Sequence, residues 1–132
     1  MPAFHAASTA QAPIEELWKL LVDPTRYPEW WAGIASIEQP PAPADRFTLY
    51  HPHELEQPWP QQIERRAGGQ VVISCMTSAI RYEWQLSTID DETHVAVFVE
   101  IPVEWASHLK AQRELIQRSL EQLTALAEEH PD

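Results

Sequence analysis

Cysteine occurs once in this chain, at Cys75, so no internal disulfide can form and a reducing compartment is the natural setting. Glycine is almost as scarce. Three glycines in 132 residues leave no glycine-rich loop to cradle phosphate and no dinucleotide fingerprint, and a nucleophile-elbow pattern is missing as well. Positive charge is also short: nine Lys and Arg stand against twenty Asp and Glu, a net charge of -11. Such a balance repels a phosphate backbone and an anionic membrane surface alike, which argues against a nucleic-acid partner. No stretch approaches the roughly 18 uninterrupted apolar residues of a membrane helix, so no membrane insertion is expected. The opening Met-Pro-Ala-Phe-His has neither the basic start nor the apolar run of a secretory signal, and the expected location is cytoplasmic.

What the chain does have is the makeup of one ordinary globular domain spanning 1–132. Ala3 to Thr9 reads as a short strand. In Ala12-Pro13-Ile14-Glu15-Glu16-Leu17-Trp18-Lys19-Leu20-Leu21-Val22, proline suits the first helical position and the glutamates favour the positive dipole end. Ile14, Leu17, Trp18 and Leu21 fall on one face, and Asp23-Pro24 stops the helix. Asp23 to Trp31 is turn-rich, with room for a second short helix. Adjacent side chains point in different directions, so one of Trp30 and Trp31 is expected deep in the core.

Ile34 to Glu38 and Arg46 to Tyr50 read as strands. Gln39 to Asp45 reads as a loop, and His51 to Pro60, rich in proline, as a loop or irregular edge. Trp59 to Arg66, Ala67-Gly68-Gly69 and Gln70 to Met76 form a hairpin signature. The period-2 pattern is clearest in Ile80, Tyr82, Trp84 and Leu86, and it recurs in Val95, Val97, Val99 and Ile101. Pro102 ends this series of antiparallel strands. Trp105 to Glu129 lacks glycine and proline and reads as a helix about 37 Å long. Leu109, Ile116, Leu120, Leu123 and Ala127 form its apolar stripe. The expected architecture is α+β, with helices on one face of a single antiparallel sheet.

This order, with the apolar–Trp helix, Pro28-Glu29-Trp30, Tyr82-x-Trp84 and the closing Leu120-x-x-Leu123, resembles the START-like, or SRPBCC, superfamily of polyketide cyclase/dehydrase and lipid-transport proteins. The resemblance covers essentially the whole chain. It implies a helix-grip fold: a curved antiparallel sheet wrapped around a long C-terminal helix, with two short N-terminal helices and an elongated pocket between sheet and helix. Members bind lipids, hormones or aromatic polyketides, and a minority catalyse cyclisation or dehydration.

Candidate chemistry is sparse. His51-Pro52-His53-Glu54 is the most metal-like string, but no third ligand sits at motif spacing, so it reads as a polar loop and no metal or cofactor is expected. Val72, Ile73 and Met76 place Cys75 in an apolar strand, as a core thiol more than a nucleophile. Six tryptophans are heavy for a core this small. Their rings either fill the core or wall a pocket for a flat apolar ligand, with indole N–H groups as polar handles. Gln112 and Ser119, inside or beside the helical stripe, either face a cavity or lie at its solvent edge. Glu100 points outward by alternation.

The preferred reading is binding of a small, largely apolar or aromatic molecule, lipid- or polyketide-like. Trp31, Tyr82, Trp84, Val97 and Ile116 are the expected walls, and Gln112 and Ser119 the polar contacts. One alternative is a cyclase or dehydratase using Glu100, Arg81 or His94. Another is a protein-interaction module with a filled pocket and an exposed apolar patch around Trp59 and Trp105. The sequence leaves homodimer formation open.

Overall fold

Trp84, Leu86, Val95, Val97 and Val99 are all buried, so the two alternating stretches share one inner face, with Trp84 opposite Val97 in register. The computed structural model describes residues 2–39 and 45–129. Its elements run β1 (Ala3–Ala10), α1 (Ile14–Val22), a 3₁₀ helix (Pro24–Glu29), β2 (Ser36–Glu38), β3 (Arg46–His51) and β4 (Glu54–Arg66). After these come β5 (Gln70–Cys75), β6 (Arg81–Ile89), β7 (Glu92–Glu100), a second 3₁₀ helix (Val103–His108) and α2 (Leu109–Glu129). The seven strands form one sheet in the order β1-β7-β6-β5-β4-β3-β2, with every neighbouring pair antiparallel. β1 returns to lie beside β7 along its whole length, from Ala3 opposite Glu100 to Ala10 opposite Thr93.

Ile116, Leu120, Leu123 and Ala127 of α2 are buried, and this stripe joins one contiguous core with Leu17, Leu20 and Leu21 of α1. This is the α+β helix-grip architecture. The end of α1 is held by side chains from three places. The carbonyls of Leu20, Leu21 and Val22 have no helical N–H to accept from. They receive the indole N–H of Trp30 (3.3 Å), the hydroxyl of Tyr27 (2.6 Å) and the guanidinium of Arg65 on β4 (2.7 and 3.0 Å).

Four expectations change in detail. The second short helix is 3₁₀, because Pro28 inside it removes an α-helical donor. Trp30 and Trp31 are both buried, their rings stacked 5.3 Å apart at 25°. Trp30 has neither helical nor extended backbone angles (φ -138°, ψ -25°), so the divergence of regular neighbours does not apply. The segment after His51 is no loop. β4 begins at Glu54 and pairs with β3 through a tight turn, with a register shift between Leu49 and His51. Pro58 lies beside that irregular stretch, and Pro60 takes part through its carbonyl, which accepts from Met76 N–H (2.9 Å). Finally, α2 starts at Leu109 because Trp105 breaks the helical angles (φ -102°, ψ 15°). Most of the Gln39 to Asp45 loop, including its prolines, lies outside the described residues.

Trp84 is fully buried and meets Trp30 edge to face at 5.3 Å and 90°, and Trp31 at 5.2 Å and 72°. Replacing it by alanine is expected to cost about 3–5 kcal/mol of stability, because little of the surrounding cluster can collapse into the gap. Urea unfolding of Trp84→Ala checks this, and a loss below about 1 kcal/mol would show that the cluster does not carry the core.

Candidate functional site

Between the inner face of the sheet and the start of α2 lies a cavity of about 350 Å³. Its aromatic walls are Tyr27, Trp31, Phe47, Trp59, Tyr82 and Trp105. Strand alternation sets most of these: Phe47 and Leu49 on β3, Trp59 and Gln61 on β4, Ile73 and Cys75 on β5 all face the same side. Ile80 closes the turn between β5 and β6, where Cys75 N–H donates to the Ile80 carbonyl (3.1 Å). His51, Glu54, His108, Gln112 and Leu115 complete the lining from the β3–β4 turn and the opening of α2.

The segment Trp31 to Ala35 is fixed at both ends. Trp31 N–H donates to the Tyr27 carbonyl (2.7 Å) and Ala35 N–H to the Tyr50 carbonyl (2.8 Å). Between them, Ala32 N–H donates to Ser119 Oγ (2.9 Å), and His51 Nδ1 meets the Gly33 carbonyl at 2.8 Å. Since a carbonyl only accepts, the His51 proton sits on Nδ1. Gly33 takes φ +91°, an angle that strains any other residue, and a Cβ there would also have to push aside Leu115 Cδ1, 2.8 Å away.

Of the residues expected to bind ligand, Trp31, Tyr82 and Gln112 line the cavity. Trp84, Val97, Ile116 and Ser119 do not; they are at most 1% exposed and packed in the adjoining core. The reason is how the helices cover the sheet: α2 packs on β1, and α1 on β6 and β7. That half is solid, and among the described residues the space opens over β3, β4, β5 and the Tyr82 end of β6. Ser119 spends its hydroxyl on protein, donating to the Leu115 carbonyl (2.8 Å) while accepting from Ala32. Its replacement by alanine should therefore strand the Ala32 N–H and cost about 1–3 kcal/mol in urea unfolding. A stability change within about 0.5 kcal/mol would overturn that role.

Arg81 and Glu100 lie 3.9 Å apart, Arg81 pairs more closely with Glu83 (3.0 Å), and neither Arg81, Glu100 nor His94 lines the cavity. Trp59 and Trp105, candidates for an exposed patch, are half-buried wall residues with ring centroids 6.1 Å apart. Sequence reasoning passed over Tyr27, Phe47 and Gln61. The alternation Phe47–Leu49 and Trp59–Gln61–Ile63 was the available signal.

Cys75 is the one nucleophile of note on the wall, its Sγ 3.4 Å from Thr77 Oγ1. Burial penalises its thiolate. Hydrogen bonds from the Ser78 hydroxyl, the Thr77 hydroxyl and N–H, and the Gln61 amide outweigh that penalty and hold the pKa below the ordinary thiol value. Burial raises the Tyr82 phenol well above its usual range, and the neighbouring Cys75 adds to the effect. A lowered thiol pKa means thiolate at lower pH. The pH profile of Cys75 alkylation by iodoacetamide, read by intact mass, is therefore expected to have its midpoint below that of free cysteine, and Ser78→Ala should raise it. A wild-type midpoint at or above the free-cysteine value contradicts the hydrogen-bonding account.

Among the described residues, no group of three or more His, Cys, Asp or Glu is placed to hold a metal, and no helix is long and apolar enough to cross a membrane. No family model and no curated protein matches the sequence. Solved structures match over nearly the whole chain. The Zhui aromatase/cyclase from a Streptomyces species superposes with a TM-score of 0.77 at 14% identity, covering 96% of this chain and 93% of its own. XoxI from Bacillus cereus gives 0.77 at 14%, covering 95% and 94%. The di-domain aromatase/cyclase StfQ of the steffimycin biosynthetic pathway gives 0.71 at 17%, covering 96% of this chain and 45% of that longer one. These likenesses define the class, an α+β helix-grip domain. The chain shares this fold with the two aromatase/cyclases, and identities this low establish the fold alone.

Proposed function

We propose that this protein binds a small, largely apolar or aromatic molecule in the cavity between β3–β5 and the start of α2. The observation that carries this reading is the aromatic-walled cavity of about 350 Å³, near the small end of ligand sites and suited to about two or three fused rings. Two further features support it. The walls are held by backbone and side-chain hydrogen bonds that need no ligand, so the site is preformed. The fold is also one in which aromatase/cyclases are built. A cytoplasmic location belongs to the same proposal, supported by the single free thiol.

The cyclase or dehydratase reading has the fold-level likeness in its favour, but its expected ionisable groups, Glu100, Arg81 and His94, do not line the cavity. Binding is the reading the geometry supports better. An interaction module with a filled pocket fits less well, because the space is open and Trp59 and Trp105 wall it.

Calorimetric titration with a panel of fused-ring aromatic compounds tests the proposal. Gln112 is half-buried on α2 and faces the cavity, so Gln112→Trp fills the space from a tolerant position. It should weaken binding about tenfold or more while changing unfolding stability by less than about 1 kcal/mol. Unchanged affinity in that variant, or no measurable binding across the panel, would sink the reading.

A further inference from the structure

The two edges of the sheet are built differently. At one end stands β2, three residues long, with Glu38 accepting from the Tyr50 hydroxyl (2.8 Å). Short length and charge blunt an edge against further pairing. At the other end stands β1, eight residues long, which pairs with β7 from Ala3 to Ala10 without a shift of register. No proline interrupts it, and no Asp, Glu, Lys or Arg occurs in the sequence before Glu15. None of the usual guards of an edge strand is present on β1.

The direction of its backbone groups follows from one bond. Ile101 N–H donates to the Pro2 carbonyl (2.9 Å), so these two residues form a hydrogen-bonded pair. Alternation then turns the N–H and C=O of Phe4, Ala6, Ser8 and Ala10 toward β7, and those of Ala3, His5, Ala7 and Thr9 away from it. Among the described residues, no strand lies beyond β1 and no hydrogen bond reaches the outward groups. The side chains of His5, Ala7 and Thr9 are exposed. Alternating donors and acceptors at strand spacing fit one kind of partner, another extended strand.

We propose that β1 pairs with β1 of a second copy of this chain, antiparallel across a two-fold axis at Ala6, giving a homodimer with one continuous sheet. About that axis Ala3 falls opposite Thr9 of the second copy, and His5 opposite its Ala7. All four outward residues of each copy are then used, in about eight backbone hydrogen bonds. Small side chains meet across the junction, and no like charges oppose one another. Charge on α2 favours a second copy over an unrelated strand. Arg113 lies over the Phe4 ring (5.5 Å) and Glu128 accepts from Gln11 N–H (2.8 Å), so α2 runs beside β1 in the same direction. Its first half holds Lys110, Arg113 and Arg118 against Glu114, and its second half Glu121, Glu128 and Glu129. The two-fold axis sets the two helices antiparallel, with the basic half of each toward the acidic half of the other. Because β2 is guarded, assembly closes at two. The cavity borders β3, β4 and β5, away from this edge, so the inference is independent of the ligand-binding reading.

Sedimentation velocity of the full chain over a concentration series tests this, with far-UV circular dichroism to confirm that each variant is folded. Wild-type protein is expected to sediment with twice the 15.1 kDa mass of one chain. Ala7→Pro removes an outward N–H and sets its ring on the free edge, while the bonds to β7 stay in place. It should raise the dimer Kd about tenfold or more. Ala7→Lys at the same exposed position is a second arm that does not depend on proline being tolerated. It brings two ammonium groups together diagonally across the axis and should also weaken the dimer. Ala7→Val, a residue suited to strands, should leave it intact. A wild-type chain that stays monomeric at about 100 μM overturns the proposal, as does a species larger than a dimer. Unchanged dimer affinity in either folded variant, Ala7→Pro or Ala7→Lys, overturns it too.

Discussion

The three carbonyls that end α1 set the rest of the structure. Leu20, Leu21 and Val22 would leave unpaired acceptors at the helix end; the first two are buried, where an unpaired carbonyl costs about 1–3 kcal/mol, and the third lies nearer the surface. Tyr27, Trp30 and Arg65 answer them from the following 3₁₀ helix and from β4. Two of the three partners are large aromatics, so satisfying the helix end also drives Tyr27 and Trp30 inward. Trp31 follows by stacking on Trp30. A polar requirement at one helix terminus thereby fixes an aromatic corner over the middle of the sheet.

That corner divides the space above the sheet. On one side, Trp30 and Trp84 fill it, and α1 with the later turns of α2 cover β1, β6 and β7. On the other, Trp31 and Tyr82 meet edge to face at 4.9 Å and 88°, and form a wall beyond which β3, β4 and β5 have no helix laid on them. The kink at Trp105 starts α2 only at Leu109. The cavity is thus a consequence of helices too short and too one-sided to cover seven twisted strands, with a rigid aromatic divider that prevents collapse.

The sequence carries the filled half more legibly than the open one. Val95–Val97–Val99 and Trp84–Leu86 alternate because they pack against helices on every turn, and the α2 stripe repeats for the same reason. Those constraints made the strands, the long helix and the helix-grip order readable. They also drew attention to Trp84, Val97, Ile116 and Ser119, whose regularity reflects packing. β3 and β4 face a space, so nothing forces a clean pattern there. Their prolines and the bulge near Leu49 then hid a hairpin that reads locally as a loop. The capping bonds of Tyr27 and Trp30 depend on contacts across a turn, which periodicity does not express.

Buried polar groups separate the two halves in a second way. In the filled half, Thr93 donates to the Ala12 carbonyl (2.7 Å), Ser119 to Leu115 and Thr124 to Glu121 (3.1 Å), so each hydroxyl is consumed by backbone. The indole N–H of Trp84 is the exception. It lies among the faces of Trp30 and Trp31, where an N–H can rest weakly against a π system. Gln61 Oε1 and Trp59 Nε1 also lack a partner, and both atoms are closed off from solvent although their residues border the cavity. Packing selects against a buried glutamine carbonyl with nothing to accept from. The fold is held in common with aromatase/cyclases, but the residues of the cavity wall are this chain's own, and the wall decides what can bind.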